Sequence, residues 1–247
     1  MGQSASNPLG GGRVKLEERM QRARATGVLS LQNLNLSKAP VQIADLKTLR
    51  SLSLRNNKIS EIPVEFAQLV ALKTLHLDSN AIANLPDVLS NLKKLETLTL
   101  TQNALVHVPR CILSLNKLKQ IDLSHNKLTV VPAQLLKLPN LEVCNLSHNK
   151  ITQLPDECDE CNLAELNVGY NQLTTLPASL TKCPKLKVLR CEHNNIALGG
   201  IPNALLADSS ISLLVTENNP VTAAELQQLP GYEAYSQRYT NVKKKGD

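Results

Sequence analysis

The sequence predicts an α/β solenoid: a right-handed horseshoe of about nine 23-residue repeats, with a parallel sheet on its concave face and helical caps. Three observations carry this. A fifteen-residue pattern recurs along the 247-residue chain. One asparagine per pattern returns at an almost constant interval. The leucines of each pattern switch from a period of two to a period of three.

The pattern reads L-x-x-L-x-L-x-x-N-x-L-x-x-L-P. It appears as LRSLSLRNNKISEIP from Leu49, LKTLHLDSNAIANLP from Leu72, LETLTLTQNALVHVP from Leu95, LKQIDLSHNKLTVVP from Leu118, LEVCNLSHNKITQLP from Leu141 and LAELNVGYNQLTTLP from Leu163. The asparagines are Asn57, Asn80, Asn103, Asn126, Asn149, Asn171, Asn194 and Asn219, separated by 23, 23, 23, 23, 22, 23 and 25 residues. One step back, GVLSLQNLNLSKAP keeps the register but has Leu34 at the asparagine position. Side chains alternate along a strand, so an L-x-L pair points two leucines to one side. The asparagine amide has the donors and acceptor to satisfy backbone groups where the strand turns inward, and a row of them bonds repeat to repeat. The arm after the proline has period three, which suits 3₁₀ or polyproline II backbone. No single repeat buries its leucines alone; stacking makes one continuous core.

These residues resemble the leucine-rich repeat family over residues 28–221. The resemblance extends to the small intracellular members with a Met-Gly start, and it implies a lipid-anchored protein without an established enzymatic role. The arm SASNPLGGGRVK is longer than in those relatives.

Four segments follow. Residues 1–13 are expected as a flexible lipidated arm and 14–27 as a capping helix, with Leu16, Met20 and Ala23 at helical spacing and Gly27 as its stop. Residues 28–221 form the solenoid. Residues 222–247 form a C-terminal cap and basic tail, holding three of the four tyrosines. Gly199-Gly200 reads as a bulge in a repeat two residues longer than standard.

Met1-Gly2 with Ser6 fits the M-G-x-x-x-[ST] pattern of N-myristoylation, with Gly2 as the acylated residue. One acyl chain binds a membrane only marginally and calls for a second signal. Residues 1–27 carry a net charge of +3, which suits anionic lipid or a solvated helix face.

The outward positions flanking the strand leucines form a polar face of mixed charge. Its expected partner-binding residues are Arg55, His76, Asp78, Thr99, Thr101, Asp122, His125, Asn145, His148, Asn167, Tyr170, Arg190, Glu192 and His193. Tyr and Arg are the types that commonly anchor protein contacts. His125 and His148 hold one position in adjacent repeats and are expected about 5 Å apart, with Tyr170 between them and His193. That spacing does not suit a three-ligand zinc site, whose donors all lie near one ion. It suits a pH-sensitive patch better.

The spacing Cys158-x-x-Cys161 matches redox and zinc motifs, but both cysteines, like Cys183, sit in leucine positions. Cys144 and Cys191 replace strand leucines; Cys111 stands outside the scheme. Free cysteine packs as a small hydrophobe, so core filling is expected. Six cysteines without a secretory leader suggest reduced thiols and a cytoplasmic location.

The net charge of +6 is scattered, and 4 Tyr, 1 Phe and 0 Trp offer few bases a stacking partner, so nucleic acid is not expected. No phosphate-binding glycine loop, nucleophile elbow or H-E-x-x-H motif is present. The expectation is a non-enzymatic monomeric scaffold, without cofactor, held on the cytosolic face of a membrane and binding a protein on its concave side. The alternative is a soluble regulatory subunit of a signalling enzyme, in a phosphatase or small-GTPase pathway.

Overall fold

A computed structural model of the chain describes residues 10–159 and 161–246. Gly2 and Ser6 lie outside the described residues. Nine three-residue strands run Val28–Ser30 (β1), Ser51–Ser53 (β2), Thr74–His76 (β3), Thr97–Thr99 (β4), Gln120–Asp122 (β5), Val143–Asn145 (β6), Glu165–Asn167 (β7), Val188–Arg190 (β8) and Leu213–Val215 (β9). They form one parallel sheet in sequence order. Register follows the repeat: Leu52 pairs with Leu75, Leu75 with Leu98 and Leu98 with Ile121. Each L-x-L pair is buried, and Leu52, Leu54, Leu77, Leu100, Ile121 and Leu123 are at most 1% exposed.

The eight asparagines stitch the repeats together. Asn126 shows the pattern: its Nδ2 donates to Leu100 O of the preceding repeat at 2.9 Å and to Leu123 O of its own at 3.0 Å, while its Oδ1 accepts from Leu105 N at 3.0 Å. The same bonds recur from Asn57 to Asn219. Across the core, the chain leaves each proline in extended backbone and enters a short 3₁₀ turn, as at Val41–Asp45, Val64–Gln68, Asp87–Asn91, Arg110–Ser114 and Ala178–Lys182. Two repeats make a single α-turn instead, Ala133–Leu136 (α2) and Asn203–Ala207 (α3).

The arm carrying Cys158 and Cys161 departs from this. Its described residues form no helical turn, and Cys161 is bonded to Cys183 of the next repeat with Cα atoms 5.1 Å apart. This corrects the expectation of six reduced thiols. Two cysteines at equivalent inward positions of adjacent repeats have the separation a disulfide requires. Cys111, Cys144, Cys158 and Cys191 are free and buried. Gly200 is buried, and a Cβ there would collide with the Thr174 carbonyl, so the position takes only glycine.

Both ends are covered. The helix α1 spans Gly10–Thr26, starting inside the segment expected as a flexible arm. It buries Met20 and Ala23 and stops where Gly27, at φ 72°, donates its N–H to Ala23 O. Arg19 donates to Ser30 O on the first strand at 2.9 Å. At the other end, helix α4 (Ala223–Gln227) begins with a capping box of Thr222 and Glu225. From helix α5 (Tyr232–Gly246), Tyr235 Oη accepts from Leu214 N on the last strand at 3.1 Å. Arg238 Nε donates to Ile211 O at 2.9 Å.

Two measurements test this construction. Asn126→Ala strands the buried Leu105 N–H and removes one of two donors from the Leu100 and Leu123 carbonyls, which keep Asn103 and Asn149; it should cost about 2 kcal/mol in urea unfolding, against about 1 kcal/mol for the more exposed Asn57→Ala. Alkylation of unfolded, unreduced protein should label the four free thiols; six labels would refute the bond between Cys161 and Cys183.

Candidate functional site: a concave polar strip and a column of rings

The sheet presents two lines of functional side chains. The first lies on the strands. Arg55 Nε pairs with Asp78 Oδ2, and Arg55 Nη2 donates to His76 Nδ1 at 2.9 Å. Thr99 Oγ1 donates to Asp78 Oδ2 at 2.7 Å, and Thr101 N donates to Asp78 Oδ1 at 3.0 Å. Thr101 and Ser124 hydroxyls are 2.8 Å apart. Ser124 Oγ donates to Asp122 Oδ1 at 2.6 Å, and Asn145 Nδ2 donates to Asp122 Oδ2 at 3.2 Å. Asn167 Oδ1 accepts from Gly169 N at 3.0 Å, and Arg190 Nε lies 3.4 Å from Glu165 Oε1. Each partner comes from the same or a neighbouring repeat, so the parallel register alone brings them together.

The strip differs from the expected contact surface at two residues. Asp78 and Thr99 are buried, 6% and 8% exposed, beneath Arg55 and His76. They set the geometry of the strip, and Arg55 and His76 present it to solvent. Glu192 folds its carboxylate into the space that a Cβ on Gly169 would occupy. Between β5, β6 and β7, Gln120, Asp122, Val143, Asn145, Glu165 and Asn167 line a depression of about 120 Å³. Ligand pockets for drug-sized molecules start at about 300 Å³, so the depression suits a side chain rather than a small molecule.

The second line lies beside the strands, at the residue before each ladder asparagine. All of these positions from Asn56 to Asn218 have φ between 52° and 57°. Such a left-handed backbone suits Asn and His and is unusual for a bulky residue such as tyrosine. Here His125, His148, Tyr170 and His193 stack face to face, with ring centroids 3.9, 4.0 and 4.0 Å apart and planes within 11–17° of parallel. Asn218 Nδ2 lies 2.9 Å from His193 Nε2 and extends the column. Tyr170 is 41% exposed. The sequence places these four residues side by side; the stacking and its continuation to Asn218 emerge only with the left-handed backbone. The signal for it is the recurrence of flat side chains immediately before the asparagine.

Neither line is arranged for metal binding. Among the described residues, no group of three His, Cys, Asp or Glu side chains is placed to hold an ion. Thiol chemistry is disfavoured as well. Burial pushes the Cys111 and Cys158 thiols up to about 11 and those of Cys144 and Cys191 higher still, so their thiolates are scarce at neutral pH.

Two histidines are held below the ordinary imidazole range. For His76 the cause is burial, then the Arg55 charge, opposed by Asp78. For His148 it is burial and then His125. Protonation therefore favours the unfolded chain. The stability held by these neutral imidazoles is present above the ordinary histidine range and is lost as pH falls through and below it. The urea midpoint should fall between about pH 7.5 and about pH 5.5. His76→Gln keeps an acceptor for Arg55 and should shrink that fall; an unchanged pH dependence in this variant would refute the assignment.

Comparison with known proteins agrees with this geometry. A family model described as a leucine-rich repeat region matches residues 27–107, and a second leucine rich repeat model matches residues 118–161 and 139–196. Among solved structures, an internalin (inlF) from Listeria monocytogenes is 20% identical, with a TM-score of 0.70, over 83% of this chain and 58% of that one. The Toll–Spatzle complex of Drosophila gives 22% identity and a TM-score of 0.69 over 82% and 37%. A plant peptide hormone receptor, RGFR1 in complex with RGF2, gives 24% and 0.64 over 84% and 36%. The chain thus spans only about a third to just over a half of these proteins. The two repeat models cover most of the solenoid, including strands β1 to β8 and the ladder asparagines from Asn57 to Asn194: the chain belongs to the leucine-rich repeat family.

Proposed function

We propose that the protein is a non-enzymatic interaction scaffold, tethered to the cytosolic face of a membrane by a myristoyl group on Gly2, that binds a protein partner on its concave face. The observation that carries the binding role is the hydrogen-bonded strip from Arg55 to Asn167. Its side chains are already ordered by their neighbours, which reduces the entropy lost when a partner docks. Arg55 in the strip, Arg190 on the next strand and Tyr170 in the ring column beside it are the residue types that anchor such contacts. The plant receptor and the Toll structure bear a hormone peptide and Spatzle in their names, which supports use of the fold for protein ligands. Capped ends discourage stacking of copies, in keeping with a monomer.

The anchor rests on Gly2 and Ser6. The Met-Gly start and the ending LPGYEAYSQRYTNVKKK also resemble leucine-rich repeat-containing protein 57, which implies a small intracellular protein with a predicted lipid anchor. No described helix is long and apolar enough to cross a membrane, so residence there would depend on the acyl chain and a second signal. Among the described side chains, Arg19 and Arg24 are partly engaged, with Ser30 O and Gln21, and Arg22 is an exposed contributor to that signal.

Two experiments test the reading. Protein made in a eukaryotic cell should lack Met1 and carry one myristoyl mass, and Gly2→Ala should move it from the membrane pellet to the supernatant; a free or acetylated terminus rejects the anchor. Proximity labelling should recover a set of proteins that the double variant Asn145→Arg/Asn167→Arg loses. Identical recovery would reject the concave site, and a catalytic subunit copurifying from cytosol would favour the regulatory-subunit alternative.

A further inference from the structure

The ring column has properties that the concave strip does not share. Faces of the inner rings, His148 and Tyr170, are covered on both sides by their neighbours. They therefore meet solvent through their edges, which are the electropositive part of an aromatic ring and carry the imidazole nitrogens and the phenol hydroxyl. Two residues after His125 and His148, Lys127 and Lys150 are exposed in the same register, followed by uncharged Gln172 and Asn195. On the strand side the column is bordered by Ser124, Ser147, Gly169, Glu192 and Glu217. Glu192 is tucked over Gly169, with one carboxylate oxygen buried. The outward border near His125 and His148 is thus basic, and the inward border is neutral until Glu192.

We propose that this ridge docks an acidic segment of a protein partner, whose carboxylates pair with Lys127 and Lys150 and accept from the edges of His125, His148, Tyr170 and His193. The proposal rests on the interaction-scaffold reading and specifies the chemistry of the partner. It also gives the contact a pH dependence. Stacked imidazoles at 3.9 Å repel when charged, and His148 is held neutral by burial and by His125 and His193, with Glu192 opposing. An anionic segment supplies the counter-charge the column lacks. Binding then takes up protons and tightens as pH falls through the histidine range. Glutamate carboxylates, which titrate at about 4.3, remain charged throughout that range.

The test is fluorescence anisotropy of a labelled glutamate-rich peptide, with a lysine-rich peptide of equal length as control, at about pH 7.5 and about pH 6. The wild-type chain should bind the glutamate peptide and hold it about fivefold more tightly at the lower pH, the gain of one good ion pair. Lys127→Glu/Lys150→Glu should weaken binding at both pH values. His125→Gln/His148→Gln should remove the pH dependence and keep residual affinity through the lysines. Urea midpoints of both variants check that the fold is intact. No binding at either pH, equal affinity in all three proteins, or tighter binding of the lysine peptide would overturn the proposal. Loss of labelled partners in Asn145→Arg/Asn167→Arg together with any of those results sinks this inference and leaves the interaction reading standing; ridge-dependent binding of the glutamate peptide supports it whatever that variant shows.

Discussion

Everything in this molecule depends on a buried amide that bonds two repeats at once. Each ladder asparagine donates to a carbonyl of the preceding repeat and to one or two of its own, and accepts a backbone N–H in return. The chain must turn sharply inward after every strand, and a turn inside a core leaves polar backbone groups that cost about 1–3 kcal/mol each if unpaired. One residue per repeat resolves this, and in doing so fixes where the next repeat lies. The strand register, the concave strip and the ring column are all downstream of that placement.

On their outer sides the terminal strands cannot draw on the same device, because no further repeat lies there. Side chains from the caps take over. Arg19 reaches a carbonyl of β1, and Tyr235 with Arg238 reaches the backbone at and just before β9. Open sheet edges invite pairing with other chains. With both edges engaged, the strand strip and the ridge beside it stay open to a partner, and they differ in charge and so suit different parts of one.

Most of the fold was legible in the sequence because it is periodic. The strands, the asparagine positions, the arms after each proline and the outward residues all follow from one repeated pattern. What the pattern could not convey is what neighbouring repeats do to each other. Asp78 reads as an exposed acid, yet Arg55 and Thr99 from the repeats on either side cover it. Cys161 reads as a leucine substitute, yet Cys183 occupies the same layer one repeat on. Gly10 reads as part of a tether but lies in the first turn of α1. In the candidate site, residue identity was legible while the left-handed backbone that turns four rings into a stack was not. It is a conformational property of the turn, carried by sterics and the asparagine bonds rather than by the side chains it displays.

The ring spacing carries one more consequence. Adjacent strands in a sheet lie about 4.8 Å apart, but the rings stand 3.9–4.0 Å apart. Their side chains converge as they leave the backbone, so the ring spacing follows the angle between neighbouring repeats. The column is therefore a gauge of how tightly the horseshoe is bent. Unbending it would pull the rings out of contact, and gripping a narrower object would press them together. Tyr170, the one tyrosine outside the C-terminal cap, sits in the middle of that gauge.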